Sequence, residues 1–128
     1  MADMKEEPKN LEAEMFVLVC AYMSSSALEK VCDELSSDMF YDKRNSVIYD
    51  AVSELKKRNE QIDSTILKNE IEKNTPINSV GGVEYLSDVI DSVVSASNID
   101  SYIKIVREKA LRRKLITVCE DIEKNARV

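Results

Sequence analysis

The side chains that could carry chemistry in this chain are its three cysteines and its many carboxylates, because it contains no histidine. Cys20, Cys32 and Cys119 lie far apart and form no C-x-x-C pair. Zinc sites in proteins are built from closely spaced cysteines and histidines. We therefore expect no metal site, and we interpret the cysteines as small hydrophobic residues in a reducing compartment.

The only two glycines are adjacent, at Gly81 and Gly82. A phosphate-binding loop needs a lysine and then a serine or threonine at fixed spacing, and neither follows here. A serine or cysteine nucleophile would lack its usual histidine base. The carboxylates fall mostly on polar helix faces. An enzyme that uses carboxylates is therefore kept only as an alternative, which a strongly raised carboxyl pKa in a pocket would support.

The charge balance argues against nucleic acid as a direct ligand. The chain has 24 acidic and 18 basic side chains, a net charge of −6, which repels phosphate. Lys56, Lys57 and Arg58 form a basic cluster, but Glu54 and Glu60 flank it. We interpret the cluster as a solvated helix end, where positive charge complements the helix dipole.

The composition predicts an all-α protein. A chain of 128 residues with two glycines, two prolines and 44% hydrophobic residues fits one helical domain of ordinary size. Its longest apolar run, Met15 to Met23, is too short to cross a bilayer, and the N-terminus shows no signal-peptide pattern. We expect a cytoplasmic protein that does not contact membranes.

The hydrophobic periodicity predicts about five short helices in a compact bundle, followed by one long helix. The first, Leu11 to Met23, is apolar on every side after Glu14, which places it at the centre of the core. A capping box of Ser26 and Glu29 is expected to start the second. The other short helices are predicted from about Arg44 to Arg58, from Ser64 to Lys73 with Asp63 as the cap, and from about Val83 to Val94.

The long helix is predicted from Asn98, whose side chain can cap it, to Arg127. Its apolar residues form two sets on different faces of the helix. The first set is Ile99, Tyr102, Ile103, Val106 and Ala110. The second set, here named the distal stripe, is Leu111, Leu115, Val118, Cys119, Ile122 and Ala126. A helix that only covered its own core would keep one face throughout, so we predict that the distal stripe contacts something else.

Short motifs recur in a fixed order over residues 8 to 126. The first motif is Pro8 followed by Leu11-Glu12-Ala13-Glu14, and the second is Asp38-Met39-Phe40-Tyr41 followed by Ile48-Tyr49. The third is Ile62-Asp63, and the fourth is Gly81-Gly82 followed by Tyr85-Leu86. The last is Ser97-Asn98-Ile99 followed by Tyr102, Ile105-Val106 and Arg112 or Arg113. In this order they resemble the N-terminal domain of bacterial replicative DNA helicases of the DnaB type. The resemblance marks these positions as structural signatures: Phe40, Tyr41, Asp63, Gly81, Gly82, Asn98 and Tyr102.

Two places depart from the family pattern. Val19 and Cys20 stand where glycine is usual, so the neighbouring helix must lie further away. Asn45 and Ser46 replace a common His-Arg pair, so the contacts of that pair do not carry over.

The resemblance implies a role in assembly. In the family the long helix is the first arm of a helical hairpin, and hairpins of two subunits pack together. Paired domains form a collar, a trimer of dimers, over a hexameric ring of ATPase domains. The distal stripe would then pair subunits, and the domain would dock the C-terminal domain of primase and, where one exists, a helicase loader. ATP and Mg²⁺ belong to the C-terminal ATPase domain, so no cofactor is expected here.

The predicted organisation is a flexible tail over residues 1–10, a globular part over 11–97 and the long helix over 98–128, all within a longer protein. The alternative is a stand-alone helical adaptor or regulator that dimerises through its C-terminal helix. A reading frame that continued into a G-x-x-x-x-G-K-[ST] segment would exclude this alternative.

Overall fold

The computed structural model describes residues 6–75, 84–85, 88 and 98–128. Within these residues it contains five α-helices and one 3₁₀ helix, and no strand. The α-helices are α1 (Leu11–Met23), α2 (Ser25–Glu34), α3 (Lys43–Lys57), α4 (Ser64–Glu72) and α5 (Ile99–Ala126), with the 3₁₀ helix Ser37–Met39 between α2 and α3. The all-α prediction is confirmed. Gly81, Gly82 and most of the helix predicted from Val83 to Val94 lie outside the described residues.

Helix α1 forms the centre of the core, as its sequence predicts. It packs against α2, α3 and α5, while α4 packs on α3. The run from Val17 to Ala21 is buried without interruption, so the helix is covered on all sides. Val19 and Cys20, at the positions where the resemblance implied glycine, are both buried in this core. None of the helices in the described residues is both long and apolar enough to cross a membrane.

The start of α2 differs from the prediction. Ser24, rather than Ser26, is the N-cap, and its hydroxyl accepts a hydrogen bond from the backbone N–H of Ala27 at 3.3 Å. The capping box of Ser26 and Glu29 is therefore wrong. The same extended Ser24 also ends α1, so the chain passes from one helix to the next through a single residue. Asp63 caps α4 as predicted, because its carboxylate accepts from the N–H of Ile66 at 2.8 Å.

The connector between α2 and α3 places its two aromatic rings differently. Aromatic residues in a connector are expected to pack against the core from outside. Phe40 does so, because it is buried against Tyr49 with ring centroids 5.3 Å apart and fills the edge of the core. The Tyr49 hydroxyl donates to the carbonyl of Leu35 at 2.6 Å, and burial raises the pKa of Tyr49 to about 12. Tyr41 is 38% exposed and lies outside the core, so the expectation that connector aromatics pack against the core is wrong for this residue.

Candidate assembly surface

The first half of α5 docks on the globular body as predicted. Ile99, Ile103 and Val106 are buried, and the ring of Tyr102 stacks on Phe16 with centroids 4.0 Å apart. This apolar contact fixes the position of the helix, since the burial of such side chains contributes the largest favourable term.

Asn98 occupies the N-cap position of α5, but its side chain makes no capping hydrogen bond. Its backbone has φ −105° and ψ 20°, whereas an N-cap residue needs an extended backbone to aim its side chain at the first free N–H groups. The predicted position of the N-cap at Asn98 is therefore confirmed, but the predicted side-chain hydrogen bond is wrong.

Arg113 anchors α5 at the point where the helix leaves the body. Its guanidinium donates to the carbonyls of Pro8 and Met39, both at 2.8 Å, and lies 5.5 Å from the centre of the Tyr41 ring. Lys9 lies over the same ring at 4.5 Å. The side chain of Arg113 thus joins α5 to two segments that are distant in sequence, the one at Pro8 and the one at Met39 and Tyr41. The segment predicted as a flexible tail is therefore bound to α5 at Pro8.

Beyond this anchor the long helix is uncovered. Every residue from Thr117 to Val128 is exposed. The exposed fractions of the four largest distal-stripe side chains are 68% for Leu111, 62% for Leu115, 45% for Val118 and 63% for Ile122. Cys119 and Ala126 are exposed as well. The predicted stripe therefore exists as one continuous apolar surface, and pairing through it stays a prediction.

A groove of about 900 Å³ continues this surface toward the body. Glu34, Asp38 and Met39 form one wall, and α5 forms the other between Asp100 and Thr117. Leu111 belongs to both the groove and the distal stripe. The two features therefore lie along one line on the helix surface.

Glu14 and Asn45 hold the connector that Arg113 touches, and the sequence did not predict this. The buried carboxylate of Glu14 accepts from the N–H groups of Tyr41 at 2.8 Å and Asp42 at 3.2 Å, and from Nδ2 of Asn45 at 3.0 Å. The hydroxyl of Tyr85 donates to Oδ1 of Asn45. A charged residue at the start of an apolar helix was the only sequence feature that could have indicated this network.

The side chain of Ser46, which follows Asn45 in α3, also contacts the connector. Its hydroxyl donates to the carbonyl of Ser37 at 3.0 Å, within the 3₁₀ helix. Asn45 and Ser46 together therefore join the start of α3 to the connector before it.

The described residues place several chemistry-bearing groups in contacts within the fold. They contain no group of three or more potential metal ligands. The side chain of Glu70 is bound by Arg58 and Lys73, and chiefly Arg58 holds its pKa below the usual value. A carboxylate enzyme would need the opposite shift. Burial raises the thiol pKa of Cys20 and Cys32, which disfavours the reactive thiolate.

The basic cluster at the end of α3 also takes part in ion pairs. Arg58 forms ion pairs with Glu54 at 3.8 Å and Glu60 at 3.0 Å in addition to the contact with Glu70. It therefore joins the end of α3 to α4, while Lys57 and Arg58 stay exposed, as the interpretation of a solvated helix end expects. Acidic neighbours at this position leave less positive charge available for phosphate.

Residues 6–108 match the family model described as the DnaB-like helicase N-terminal domain. The chain is 37% identical over 115 residues to the replicative DNA helicase DnaC of Bacillus subtilis, and 34% identical over 122 residues to the replicative DNA helicase DnaB of Treponema pallidum. These matches cover 90% and 95% of this chain but only 25% and 28% of the relatives. The chain thus spans about a quarter of their length.

Solved structures agree with the sequence matches. The crystal structure of the N-terminal domain of DnaB helicase from Mycobacterium tuberculosis matches with a TM-score of 0.88 at 31% identity, covering 93% of this chain and 85% of that one. The N-terminal domain of DnaB helicase from Helicobacter pylori, solved in a study of its interactions with primase, matches with a TM-score of 0.80 at 20% identity and 91% coverage of both chains. The latter likeness concerns the fold alone. This chain belongs to the family of DnaB-like N-terminal domains of replicative helicases.

Proposed function

We propose that this chain is the assembly and partner-docking domain of a hexameric replicative DNA helicase. Paired copies of the domain form a collar, and the collar offers a docking surface to primase and to a helicase loader where one exists. Unwinding of duplex DNA at the replication fork belongs to a C-terminal domain outside this chain, which uses ATP and Mg²⁺. The whole protein acts in the cytoplasm.

The observation that carries this proposal is the exposed distal stripe. Burying the exposed parts of its four largest side chains is worth roughly 4–7 kcal/mol per copy as an upper figure. A helical end of this length is marginal in water when nothing covers it. A helix that stays apolar on one side beyond its anchor at Arg113 is therefore suited to contact with another protein surface.

Two lines support the docking role. The Helicobacter pylori domain of the same fold was solved in a study of its interactions with primase. A surface formed by two subunits exists only after the subunits pair, so the affinity for such a partner should follow assembly.

The first experiment compares the unchanged chain with a double variant that carries both Leu115→Asp and Ile122→Asp. Sedimentation should show concentration-dependent association of the unchanged chain and a monomer for the variant, because two buried charges remove the apolar contact. Circular dichroism should show that the body of the variant stays folded. Helicity of the unchanged chain should also fall on dilution, as unpaired ends of α5 fray.

The matched control is Glu120→Lys with Lys124→Asp, which changes two exposed side chains on the face of α5 away from both the stripe and the groove. It should associate like the unchanged chain. Association of the Leu115→Asp, Ile122→Asp variant at wild-type strength would contradict pairing through the stripe. Global unfolding of that variant would instead assign the stripe to the core of the domain.

The second experiment measures binding of the cognate primase C-terminal domain by calorimetry. Binding should be stronger to the unchanged chain, at concentrations where it associates, than to the monomeric double variant. Equal affinity for both would count against a docking surface that depends on assembly.

A further inference from the structure

The segment just before α1, residues 6–10, contacts α5 and is here named the N-terminal strap. None of its residues is buried. At the α1 end, the side chain of Asn10 accepts from the N–H of Ala13 at 3.0 Å. Further from α1, the carbonyl of Pro8 accepts from the guanidinium of Arg113 at 2.8 Å. The strap is therefore fixed to the core helix at one end and attached to α5 before the other.

The ring of Tyr41 holds the strap and α5 at the same place. Lys9 of the strap lies over this ring at 4.5 Å, and the guanidinium of Arg113 lies 5.5 Å from its centre. The ring attracts each cation, but the two positive charges repel each other, so the combined gain is smaller than the sum of the two contacts. The ring is also exposed in part, where water competes for both cations. The contact between strap and helix is thus polar and accessible to water.

The two carbonyls that accept from Arg113 differ in how firmly they are held. The carbonyl of Met39 belongs to the 3₁₀ helix, and the Ser37 carbonyl of that helix accepts from the Ser46 hydroxyl of α3 at 3.0 Å. The buried carboxylate of Glu14 holds the connector that follows. The other acceptor lies in the strap, which buries no residue. Segments with few buried contacts open at a lower free energy than the core, so the strap should detach first.

Arg113 contacts the body at a distance from the point where α5 is packed on it. Val106 is the last buried residue of α5, and Arg113 lies about 10 Å further along the axis at 1.5 Å per residue. Glu120 lies about 21 Å beyond Val106 on the same count. No glycine or proline interrupts α5, so a rotation about Val106 moves the helix as one body. A displacement at Arg113 is then about doubled at Glu120.

From these contacts we propose that the N-terminal strap sets the angle between α5 and the body, and that its release lets the exposed half of α5 swing. With the strap attached, α5 is held both by its apolar contact, which ends at Val106, and by Arg113. With the strap released, Arg113 keeps only the Met39 carbonyl, and the helix rotates about Val106. The strap and α5 belong to one chain, so this device does not depend on pairing through the distal stripe. Anything that pulls the strap away changes the direction in which the stripe points.

Pulsed electron spin resonance tests the swing. Nitroxide labels are attached to Glu120→Cys on α5 and Glu29→Cys on α2, both exposed, in a background of Cys32→Ser and Cys119→Ser whose remaining cysteine is buried. A second sample carries the body label at Lys68→Cys on α4 instead, so that a swing in any direction is seen. Labelled chains are mixed with a large excess of unlabelled chain of the same variant, so that only distances within one chain are measured.

Arg113→Ala should widen the distance distribution by about 6 Å, because a shift of about 3 Å at Arg113, the length of one hydrogen bond, is doubled at the label. Arg112→Ala, on the exposed side of the same turn, is the matched control and should stay as narrow as the reference chain. Circular dichroism should show equal helicity for the two variants, which separates a swing from fraying. An Arg113→Ala distribution as narrow as that of Arg112→Ala would overturn the proposal.

Pro8→Gly combined with Lys9→Gly tests the strap itself while Arg113 is unchanged. This double variant loses the cation over the Tyr41 ring and gains backbone freedom when released, so the released population should rise about tenfold and widen the distribution. Tyr41→Ala should act in the same direction, whereas Tyr41→Phe keeps the ring and should stay narrow. If the glycine variant stays narrow while Arg113→Ala widens the distribution, the Met39 carbonyl alone holds α5 and the strap does not set its angle.

Discussion

Glu14 shows how one side chain joins two parts of the domain. It is only 2% exposed and carries a carboxylate in the most buried helix. Two backbone N–H groups and the amide of Asn45 donate to it, so its hydrogen-bonding capacity is used. These three hydrogen bonds offset the cost of burying a charged carboxylate. If the carboxylate oxygens were removed, the donors would be buried without an acceptor.

We expect Glu14→Gln to lower the free energy of unfolding by about 2–3 kcal/mol, because the amide offers one acceptor oxygen and turns an N–H₂ group toward other donors. Urea unfolding measures the change. Glu12→Gln, at an exposed position on the same helix, is the control and should stay within about 0.5 kcal/mol of the unchanged chain. Equal stability of the two variants would show that the Glu14 network contributes nothing.

Glu70 makes a pH-dependent contribution. Its pKa lies below the ordinary value of 4.5, mainly because Arg58 donates to the carboxylate, while burial opposes the shift and Lys73 adds to it. A carboxyl whose pKa is lower in the folded state stabilises the fold above its unfolded pKa. The contribution is lost as pH falls through the folded pKa.

We therefore expect Glu70→Gln to be less stable than the unchanged chain at pH 7, and this difference to shrink as the pH falls below about 4.5. Urea unfolding at a series of pH values measures it. Glu72→Gln, at an exposed neighbouring position, should follow the unchanged chain throughout. A difference that stayed constant down to pH 3 would contradict a contribution from the charged carboxylate.

At the scale of elements, α5 consists of two parts that are separated by Arg113. The part before it buries Ile99, Ile103 and Val106 on the body, and every residue from Thr117 onward is exposed. The exposed ion pairs of α5 with α2, Lys30–Asp100 at 3.3 Å and Arg107–Glu34 at 3.8 Å, add little to this positioning. The apolar contact and the guanidinium of Arg113 therefore set the direction in which the free end projects.

We expect Arg113→Ala to lower the free energy of unfolding by about 1–2 kcal/mol, since two carbonyls lose a charged donor. It should also speed hydrogen exchange in the segment around Asn10, which would be released from α5. Arg112→Ala, on the exposed side of the same turn, is the control and should change neither measurement. Equal effects of the two variants would mean that Arg113 does not anchor the helix. Arg113→Lys should recover only part of the loss, because lysine lacks the planar fork.

At the scale of the whole molecule, an acidic surface and an uncovered helix end point to protein partners. The net charge of −6 opposes strand binding, and the basic cluster at the end of α3 is engaged in part by acidic neighbours at Arg58. The acidic charge balance agrees with the proposed function, in which contact with DNA belongs to a domain outside this chain.

We accordingly expect no binding of single-stranded DNA at micromolar concentrations and near-physiological salt, measured by fluorescence anisotropy. Calorimetry with ATP and Mg²⁺ should likewise show no tight binding, because the chain lacks the lysine and hydroxyl of a phosphate loop. Micromolar DNA binding that weakens as salt rises, or a tight ATP isotherm, would overturn this expectation.

The sequence by itself determined the elements. The uniformly apolar run predicted α1 from Leu11 to Met23, and hydrophobic periodicity predicted the two faces of the long helix. The order of short motifs indicated the family. These features are local, since period, caps and composition are all contained within the segment that they describe.

Only the tertiary structure decided how the elements meet. Arg113 rather than Arg112 became the anchor because the carbonyls of Pro8 and Met39, far away in sequence, lie on its side of the helix. Tyr41 turned outward because Phe40 already fills the space at the core edge. Such choices depend on which groups the fold brings within hydrogen-bond distance, and helical periodicity carries no information about them. The same distinction separates the exposed stripe, which the sequence predicted, from the groove that continues it, which exists only where the 3₁₀ helix lies beside α5.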